Sequence, residues 1–476
     1  MTESELKAGE IIARMDRIPT WALNYIFLGI IGIGELFTFF DIFNINVSFV
    51  QTAVTLFHVT PSQAAPLLGP VVLGNLIGYV IGSLSLSPLS DKIGRRDMLV
   101  ITMLITAIGS AFNAVAFNYL SFLAARVITG IGIGADLAIV NTYIGEVAPT
   151  KYRARYVSLV FIFSTIGAFL GIWVGLLLTT PPAPFPNGLP IALGASGIFA
   201  SAGWRIMYAI GALLAFIGII LRINLPESPR WLISKGRLSD AENIVKKMEE
   251  KVTSKGLKLP PLPNVLPQIT KSVSVPYSEI LTNKLYLKRL AVLLPMWFLA
   301  YTTVYSIASG LTSLLTAEGY GVSEAGIISA MGVIGFILVG PIASIFGDHF
   351  SRKIWLGIGA LLTVFGGMIV ALTPNMFIDI IGAIILFFGF NVWIPIAYTW
   401  TMESFPTRAR TSGFALNDGL GHLGGGLGVV GVTILATILP VLDLFVVIAS
   451  FLVIAAIIAL ALGFMTTGKR LDEISP

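Results

Sequence analysis

The chain contains no cysteine, and only 12% of its 476 residues are charged. Without cysteine, disulfide frameworks, thiol nucleophiles and thiolate metal sites are excluded. The chain has three histidines, and apart from His422, four residues after Asp418, none stands at a spacing to acidic residues that suggests a metal site. No nucleophile–base pair is evident either. We therefore expect neither an enzyme nor a protein with a bound metal or cofactor.

Long apolar runs dominate the sequence. Hydrophobic residues make up 55% of the chain, and the mean hydropathy of +0.88 excludes an ordinary soluble globular protein. About 20 apolar residues are needed to cross a bilayer as a helix. Twelve such runs are present, at residues 21–56, 63–88, 97–117, 119–147, 155–180, 204–224, 287–316, 323–346, 354–373, 376–403, 411–438 and 441–465. The sequence predicts an all-α membrane protein with 12 transmembrane helices.

Positive charge is distributed on one face. With these runs threaded through a bilayer, all 30 Lys and Arg residues except Arg126 and Arg205 fall on the same side. Such residues in short loops mark the cytoplasmic side. We therefore expect a multi-pass plasma-membrane protein with both termini in the cytoplasm and no cleaved signal peptide. The net charge of +5 suits anionic lipid headgroups rather than nucleic acid.

The spans fall into two equal groups. Six precede residue 224 and six follow residue 287, which predicts an amino-terminal bundle over 1–235 and a carboxy-terminal bundle over 286–476. Between them, 236–285 forms a cytoplasmic linker. Its segment 239–251 (SDAENIVKKMEEK) places Ile244, Val245 and Met248 on one helical stripe, which indicates a short amphipathic helix.

Two polar motifs recur at one offset. Each second copy lies 257 residues after the first (348 − 91 and 403 − 146). A shared offset indicates an internal duplication, typical of transporters that rock around a central site. The motifs are Asp91-x3-Arg95-Arg96, repeated as Asp348-x3-Arg352-Lys353, and Glu146-x2-Pro149-Thr150-x2-Arg153, repeated as Glu403-x2-Pro406-Thr407-x2-Arg410.

Together with further segments, these motifs resemble the major facilitator superfamily over essentially the whole chain. The segments are SPLSDKIGRR (87–96), RVITGIGIG (126–134), EVAPTKYRAR (146–155), LPESPRWLISKGR (225–237), ESFPTRAR (403–410) and TTGKRLDEI (466–474). They are similar to the sugar-porter and metabolite–proton symporter branch. The resemblance implies two pseudo-symmetric six-helix bundles, alternating access, a small-molecule substrate, protons as the coupling ion and a monomer in the bilayer.

Buried charges are the candidate proton-coupling groups. Asp41 lies inside the first span and Arg126 inside the fourth, and charges within a membrane are costly and usually functional. Burial favours the protonated carboxyl, whereas a nearby guanidinium favours the ionised one. The resemblance places the coupling pair of proton-coupled sugar porters at these two positions. Glu35 and Asp136 are further candidates. A static ion pair is the alternative for Asp41 and Arg126, and a hydrogen bond to a neighbouring helix is the alternative for Asp136.

Polar and aromatic residues at mid-membrane are the candidate substrate contacts, because aromatic faces with hydroxyl and amide groups suit a small polar ring. Asp418 and His422 stand four residues apart on one helical face, so His422 could meet an anion or simply pack. The full set is Asn44, Asn141, Tyr301, Tyr305, Ser309, Asn391, Trp393, Tyr398, Asp418 and His422.

Charges at the cytoplasmic helix ends are expected to gate the transporter. Glu146 is expected to pair with Arg153, and Glu403 with Arg410. Ion pairs formed in only one state bias a conformational equilibrium. The expected set is Asp91, Arg95, Arg96, Glu146, Arg153, Glu227, Arg230, Asp348, Arg352, Glu403 and Arg410.

The sequence thus predicts a proton-coupled symporter of a small polar metabolite, with a sugar as the first substrate. The alternatives are symport of an organic or inorganic anion, such as an aromatic carboxylate or phosphate, and facilitative uniport. Residues 297–315 (WFLAYTTVYSIASGLTSLL) lack the paired glutamines that sugar porters carry in the seventh helix. Together with Asp136 and His422, this favours the anion.

Overall fold

The computed structural model describes residues 3–185, 187–263, 266, 276–317, 320, 322–372, 375–435 and 438–475. Over these residues the chain is almost entirely helical, and no strand occurs in this part of it. Twelve helices, numbered α1–α12 in chain order, correspond to the predicted spans. They are α1 (Tyr25–Leu56), α2 (Pro61–Ile93), α3 (Arg95–Ala114), α4 (Tyr119–Val147), α5 (Arg153–Thr179), α6 (Phe199–Arg222), α7 (Lys284–Ala317), α8 (Val322–Phe346), α9 (Arg352–Leu372), α10 (Met376–Gly389 and Ile394–Glu403), α11 (Arg410–Phe414, Ala415–Gly419 and Leu420–Leu435) and α12 (Val441–Leu462).

Within the described residues, 11 helices are long and apolar enough to cross a membrane. The remaining span, α11, is divided by a π-helical turn at Ala415–Gly419, so no single segment of it reaches the required length. The prediction of 12 spanning helices is confirmed. Local chemistry sets several of their starts: the Asn118 side chain forms a capping box at α4, and Asn24 and Asn375 cap α1 and α10.

The predicted run 376–403 is not one continuous helix. The first segment of α10 ends at Gly389 and the second begins at Ile394. Pro395 at the start of the second segment has no backbone N–H to donate to the preceding turn, which accounts for the interruption. As a result, the aromatic side chains of Trp393 and Tyr398 are presented from a broken helix.

The helix contacts repeat from one half to the other. In the first half α1 packs on α5 and α6, α2 on α4, and α3 on α4 and α6. In the second half α7 packs on α11 and α12, α8 on α10, and α9 on α10 and α12, which is the same pattern six helices later. Two bundles result, and they meet along two seams, α2 against α11 and α5 against α8.

Close approach within a bundle depends on small residues. A Cβ at Gly130 of α4 would collide with the carbonyl oxygen of Asn75 in α2, and one at Gly82 of α2 with that of Ile131. Glycine at both positions lets the backbones touch, as is typical of membrane helix pairs.

Both chain ends and the linker lie at one end of the bundles. We call this end the basic face, because the loops that carry most of the Lys and Arg residues lie there. An amino-terminal helix (Glu3–Asp16) packs on the linker helix (Leu238–Ser254). The linker helix is longer than the predicted 239–251. It buries Val245 and Met248 as predicted, together with Ala241 and Val252, whereas Ile244 is only partly buried.

Candidate functional site

Asp41 and Arg126 form a buried ion pair. The Asp41 Oδ2 and Arg126 Nη1 atoms are 3.2 Å apart, and the side chains are 1% and 2% exposed. The Ser110 hydroxyl of α3 donates to the other oxygen, Oδ1, at 2.5 Å. The Tyr208 ring of α6 lies 5.8 Å from the guanidinium carbon. The pairing expected from the sequence therefore occurs, with two further partners, Ser110 and Tyr208, that no sequence pattern indicated.

Asp136 forms a buried ion pair with an arginine of another helix. Its two carboxylate oxygens accept hydrogen bonds from the guanidinium of Arg222, at the end of α6, in a buried ion pair. The Thr102 hydroxyl donates to Asp136 Oδ1 at 2.7 Å. The sequence predicts Arg222 on the same side of the bilayer as the other basic residues outside the spans, but its side chain turns into the bundle. A Cβ at Gly34 of α1 would collide with that guanidinium, so glycine leaves the space it fills.

Glu35 lies at the contact between α1 and α5. Its Oε2 accepts a hydrogen bond of 3.0 Å from Ser164, and its buried Oε1 has no partner among the described residues. No described arginine or lysine lies within ion-pair distance of it, unlike Asp41 and Asp136. An unpaired buried carboxylate is costly, so Glu35 remains a candidate for proton binding.

A cluster of aromatic residues around one carboxylate lies where the bundles meet. Asp418, in the π turn of α11, accepts hydrogen bonds from Tyr301 of α7 at 2.6 Å and Tyr79 of α2 at 2.5 Å. The Tyr301 and Tyr398 hydroxyls are 3.2 Å apart. The Trp297 ring stacks 5.4 Å from that of Tyr398. Because α2 belongs to the other bundle, this cluster spans the seam between them.

His422 completes the cluster one turn beyond Asp418. Its ring stacks on Tyr79 at 3.7 Å between centroids and lies 4.1 Å from Tyr301. His422 Nδ1 is 2.7 Å from the backbone oxygen of Asp418. A carbonyl oxygen only accepts, so Nδ1 carries the proton, and Nε2 of a neutral ring is an acceptor.

The acidic motifs of the basic face pair across the two bundles. Glu146 Oε1 lies 3.4 Å from Arg410 Nη1, and Glu403 Oε1 lies 3.6 Å from Arg153 Nη1. The expected partners, Glu146 with Arg153 and Glu403 with Arg410, were wrong. Each arginine follows the proline that ends the preceding helix and opens the next helix, from which its side chain reaches the opposite bundle.

Comparison with known proteins decides the family. The sequence profile described as "Sugar (and other) transporter" matches residues 28–476. The chain belongs to this transporter family. It is 27% identical to a putative metabolite transport protein, YyaJ, of Bacillus subtilis, covering 96% of each chain. It is 25% identical to the niacin transporter NiaP of Acinetobacter baylyi, covering 98% and 99%.

The fold of solved transporters agrees. The proton:xylose symporter XylE bound to 6-bromo-6-deoxy-D-glucose superposes with a TM-score of 0.73 at 20% identity, covering 94% of this chain and 98% of that one. At this identity the likeness establishes the shared fold of two six-helix bundles. The chain is therefore a multi-pass transporter of the major facilitator superfamily that carries small molecules, and it is not an enzyme.

Other predicted gating residues of the transporter serve the same face. Arg95 pairs with Glu146 at 3.1 Å, and its counterpart Arg352 pairs with Glu403 at 3.2 Å. The remaining contacts are Asp91 with Arg95 and with the Ser412 hydroxyl of the other bundle, and Asp348 with Arg352 and with the backbone N–H groups of Ala154 and Arg155 of the other bundle.

Three residues of that set pair within their own half of the protein rather than across the two bundles. Arg96 pairs with its exposed neighbour Asp97 and does not reach the other bundle. Glu227 accepts hydrogen bonds from the backbone N–H groups of Arg95 and Arg96 and so caps α3. Burial raises the pKa of Glu227. Arg230 pairs with Asp16 of the amino-terminal helix at 2.5 Å.

The predicted substrate contacts separate into two groups. Tyr305 and Trp393 join the aromatic cluster, with ring centroids 5.8 and 6.4 Å from that of Tyr301. The asparagines do not join it through hydrogen bonds: Asn141 and Asn391 donate to carbonyls of their own helices, and both polar atoms of the Asn44 side chain have no described partner. Ser309 lies outside the described side chains.

Proposed function

We propose that this transporter is a symporter that couples the entry of a small polar metabolite, first of all a sugar, to the entry of protons, and that it works as a monomer. The buried pair of Asp41 and Arg126 carries the proposal. A carboxyl group that is buried in an apolar interior beside one guanidinium can be ionised and paired with that guanidinium, or protonated and released from it.

Protonation of Asp41 is the coupling step. The ionised carboxylate accepts from Arg126 Nη1 and from Ser110. A proton added to Asp41 cancels its charge and weakens the ion pair, which leaves α4 freer to move relative to α1. Loading from an acidic exterior and release to a near-neutral cytoplasm would then drive the cycle in one direction.

The charges around the centre support a substrate without negative charge. The buried acids there are Glu35, Asp41, Asp136 and Asp418, whereas the buried arginines are Arg126 and Arg222. Both arginines are already paired with acids. An entering carboxylate or phosphate would find no free guanidinium among the described central residues, so these contacts favour a sugar over the anion that Asp136 and His422 suggested.

Crossed ion pairs on the basic face support alternating access. Glu146–Arg410 and Arg153–Glu403 join the bundles at that face, together with Ser412–Asp91. All of these contacts must separate for the central site to open there. Their formation in one state and loss in the other would set the balance between the two.

Uptake into proteoliposomes tests the proposal. A panel of neutral sugars is first screened by counterflow, which needs no coupling, and each hit is then tested for accumulation against its gradient with an acidic exterior. The wild type should accumulate the sugar, and Asp41→Asn should keep counterflow but lose accumulation. Asp443→Asn, at an exposed acid at the start of α12, is the matched control. Accumulation that survives Asp41→Asn, or that ignores the pH difference, contradicts the coupling.

A further inference from the structure

Asp418 lies on the α2/α11 seam, where the two bundles touch. The π turn at Ala415–Gly419 carries it, and such turns often place functional groups. On the same seam the Ser83 hydroxyl donates to the Ala415 carbonyl at 3.4 Å, and Val72 and Leu76 pack on Val429. Asp418 is fully buried, as is Tyr79 opposite it.

Each oxygen of the Asp418 carboxylate is occupied by a hydroxyl group. Tyr301, from the same bundle, donates to Oδ1 at 2.6 Å, and Tyr79, from the opposite bundle, donates to Oδ2 at 2.5 Å. Hydrogen bonds to an ionised acceptor are short and strong. Two adjacent hydroxyl groups of a sugar can donate to the two oxygens of one carboxylate in the same way.

The surroundings of Asp418 suit a neutral, hydroxyl-rich ring. No described arginine or lysine lies within ion-pair distance of its carboxylate, and His422 Nδ1 is 3.7 Å from Oδ2. Aromatic faces of Tyr301, Trp297 and Trp393 lie within 6.4 Å of one another. The Trp393 indole N–H is buried without a described partner, so it is a donor open to a ligand.

We propose that Asp418 is the specificity-determining carboxylate of the transporter, that it binds a pair of substrate hydroxyls, and that the Tyr79 hydroxyl occupies one of these positions until the substrate displaces it. This inference rests on the proposed function, since it assumes a neutral polyhydroxylated substrate. The negative carboxylate would repel carboxylates and phosphate. Displacing Tyr79 would also remove a hydrogen bond between the bundles, so substrate binding itself loosens the α2/α11 seam.

The two partners of this hydrogen bond should therefore respond in opposite directions. Asp418→Asn replaces one of the two acceptor oxygens with an amide N–H donor and removes the negative charge, so one of the two substrate hydroxyls loses its acceptor, and sugar affinity should fall by about tenfold or more. Tyr79→Phe removes only the competitor, and sugar affinity should rise by about threefold to tenfold. A purely structural hydrogen bond would give a loss in both variants. Tyr119→Phe, at the first residue of α4, controls for the loss of a tyrosine hydroxyl.

Binding is measured on the full-length protein in detergent at pH 7 by calorimetry. The probes are D-glucose, D-xylose and myo-inositol, with nicotinate, inorganic phosphate and choline as the charged comparisons. Binding of a neutral probe that weakens in Asp418→Asn and strengthens in Tyr79→Phe supports the proposal. Should Asp418→Asn fail to fold, Tyr79→Phe decides alone, because unchanged or weaker affinity there overturns it.

Other outcomes also overturn the proposal. Tighter binding of nicotinate, phosphate or choline than of any neutral probe would assign another substrate class. The absence of binding by every neutral probe would also overturn the proposal. The proposed coupling is tested independently of this binding experiment, because calorimetry in detergent involves no proton gradient. Opposite affinity shifts combined with gradient-independent uptake would keep the Asp418 site and reject Asp41 as the coupling group.

Discussion

Glu146 of the first bundle and Arg410 of the second lie 3.4 Å apart, both fully buried, on the basic face of the transporter. The equivalent residues of the other repeat, Glu403 and Arg153, make the same contact in the opposite sense at 3.6 Å. The duplicated motifs therefore form two symmetry-related ion pairs between the bundles, to which each bundle supplies an acid and a base. We call these two ion pairs the lock.

Neutralising both acids should open the basic face. In Glu146→Gln/Glu403→Gln the charge pairs between the bundles are lost, and coupling free energies of this kind are typically about 1–3 kcal/mol. We expect the labelling rate of a cysteine introduced as Ala154→Cys to rise by about fivefold or more. Ala154 is fully buried beside Gly347 of the other bundle, and the chain has no native cysteine.

Asp240→Asn is the matched control for the lock, because the pair of Asp240 with Arg237 is exposed and such pairs contribute little. Its labelling rate should equal that of the parent. An unchanged rate in the double variant would show that the crossed pairs do not hold the face closed.

Removing one partner of the Asp136–Arg222 pair should cost more than removing both. Asp136→Asn leaves a buried guanidinium without its counter-charge, which costs about 3–5 kcal/mol in comparable pairs. Asp136→Asn/Arg222→Met removes that penalty and should recover part of the melting temperature. A double variant that is as unstable as the sum of the two single variants would show that the pair is not coupled.

The amino-terminal helix should be held by charge and released by acid. Burial raises the pKa of Glu249, but hydrogen bonds from Arg14 and Arg17 outweigh it and hold that pKa below its ordinary value. A lowered pKa stabilises the docked helix above the ordinary carboxyl pKa of about 4.3, and this is lost as the pH falls through the lowered value.

Hydrogen exchange over residues 3–16 measures that docking. Glu249→Gln should speed exchange at pH 7 by about tenfold, since hydrogen bonds between charged groups contribute about 1.5–3 kcal/mol. Glu250→Gln, at the exposed neighbouring residue, should leave exchange unchanged. Equal effects of the two substitutions would contradict a specific role for Glu249.

The spans and the duplication could be predicted because each can be recognised from short segments of the sequence. Hydropathy over about 20 residues identifies a spanning helix without any knowledge of its neighbours. The 257-residue offset shows which motifs are equivalent (348 − 91 and 403 − 146). Equivalence does not identify partners, however, and the sequence alone suggested pairing within a repeat where the structure pairs Glu146 with Arg410.

Other central residues left no recognisable pattern. Arg222 ends an apolar run and so resembled an orienting charge, yet the space beside Gly34 lets it turn inward to Asp136. Tyr79 is one aromatic residue in an apolar helix, and its partner Asp418 is 339 positions away in the chain. Only the packing of α2 against α11 brings the two together.

Proton movement driven by the substrate is the most direct test of coupling through Asp41. Proteoliposomes loaded with a pH-sensitive dye, with equal pH on both sides, receive an inward gradient of the sugar identified by counterflow. The wild type should acidify the lumen as the sugar enters, and Asp41→Asn should admit the sugar without acidification. Sugar entry through the wild type with an unchanged internal pH would contradict proton coupling at Asp41.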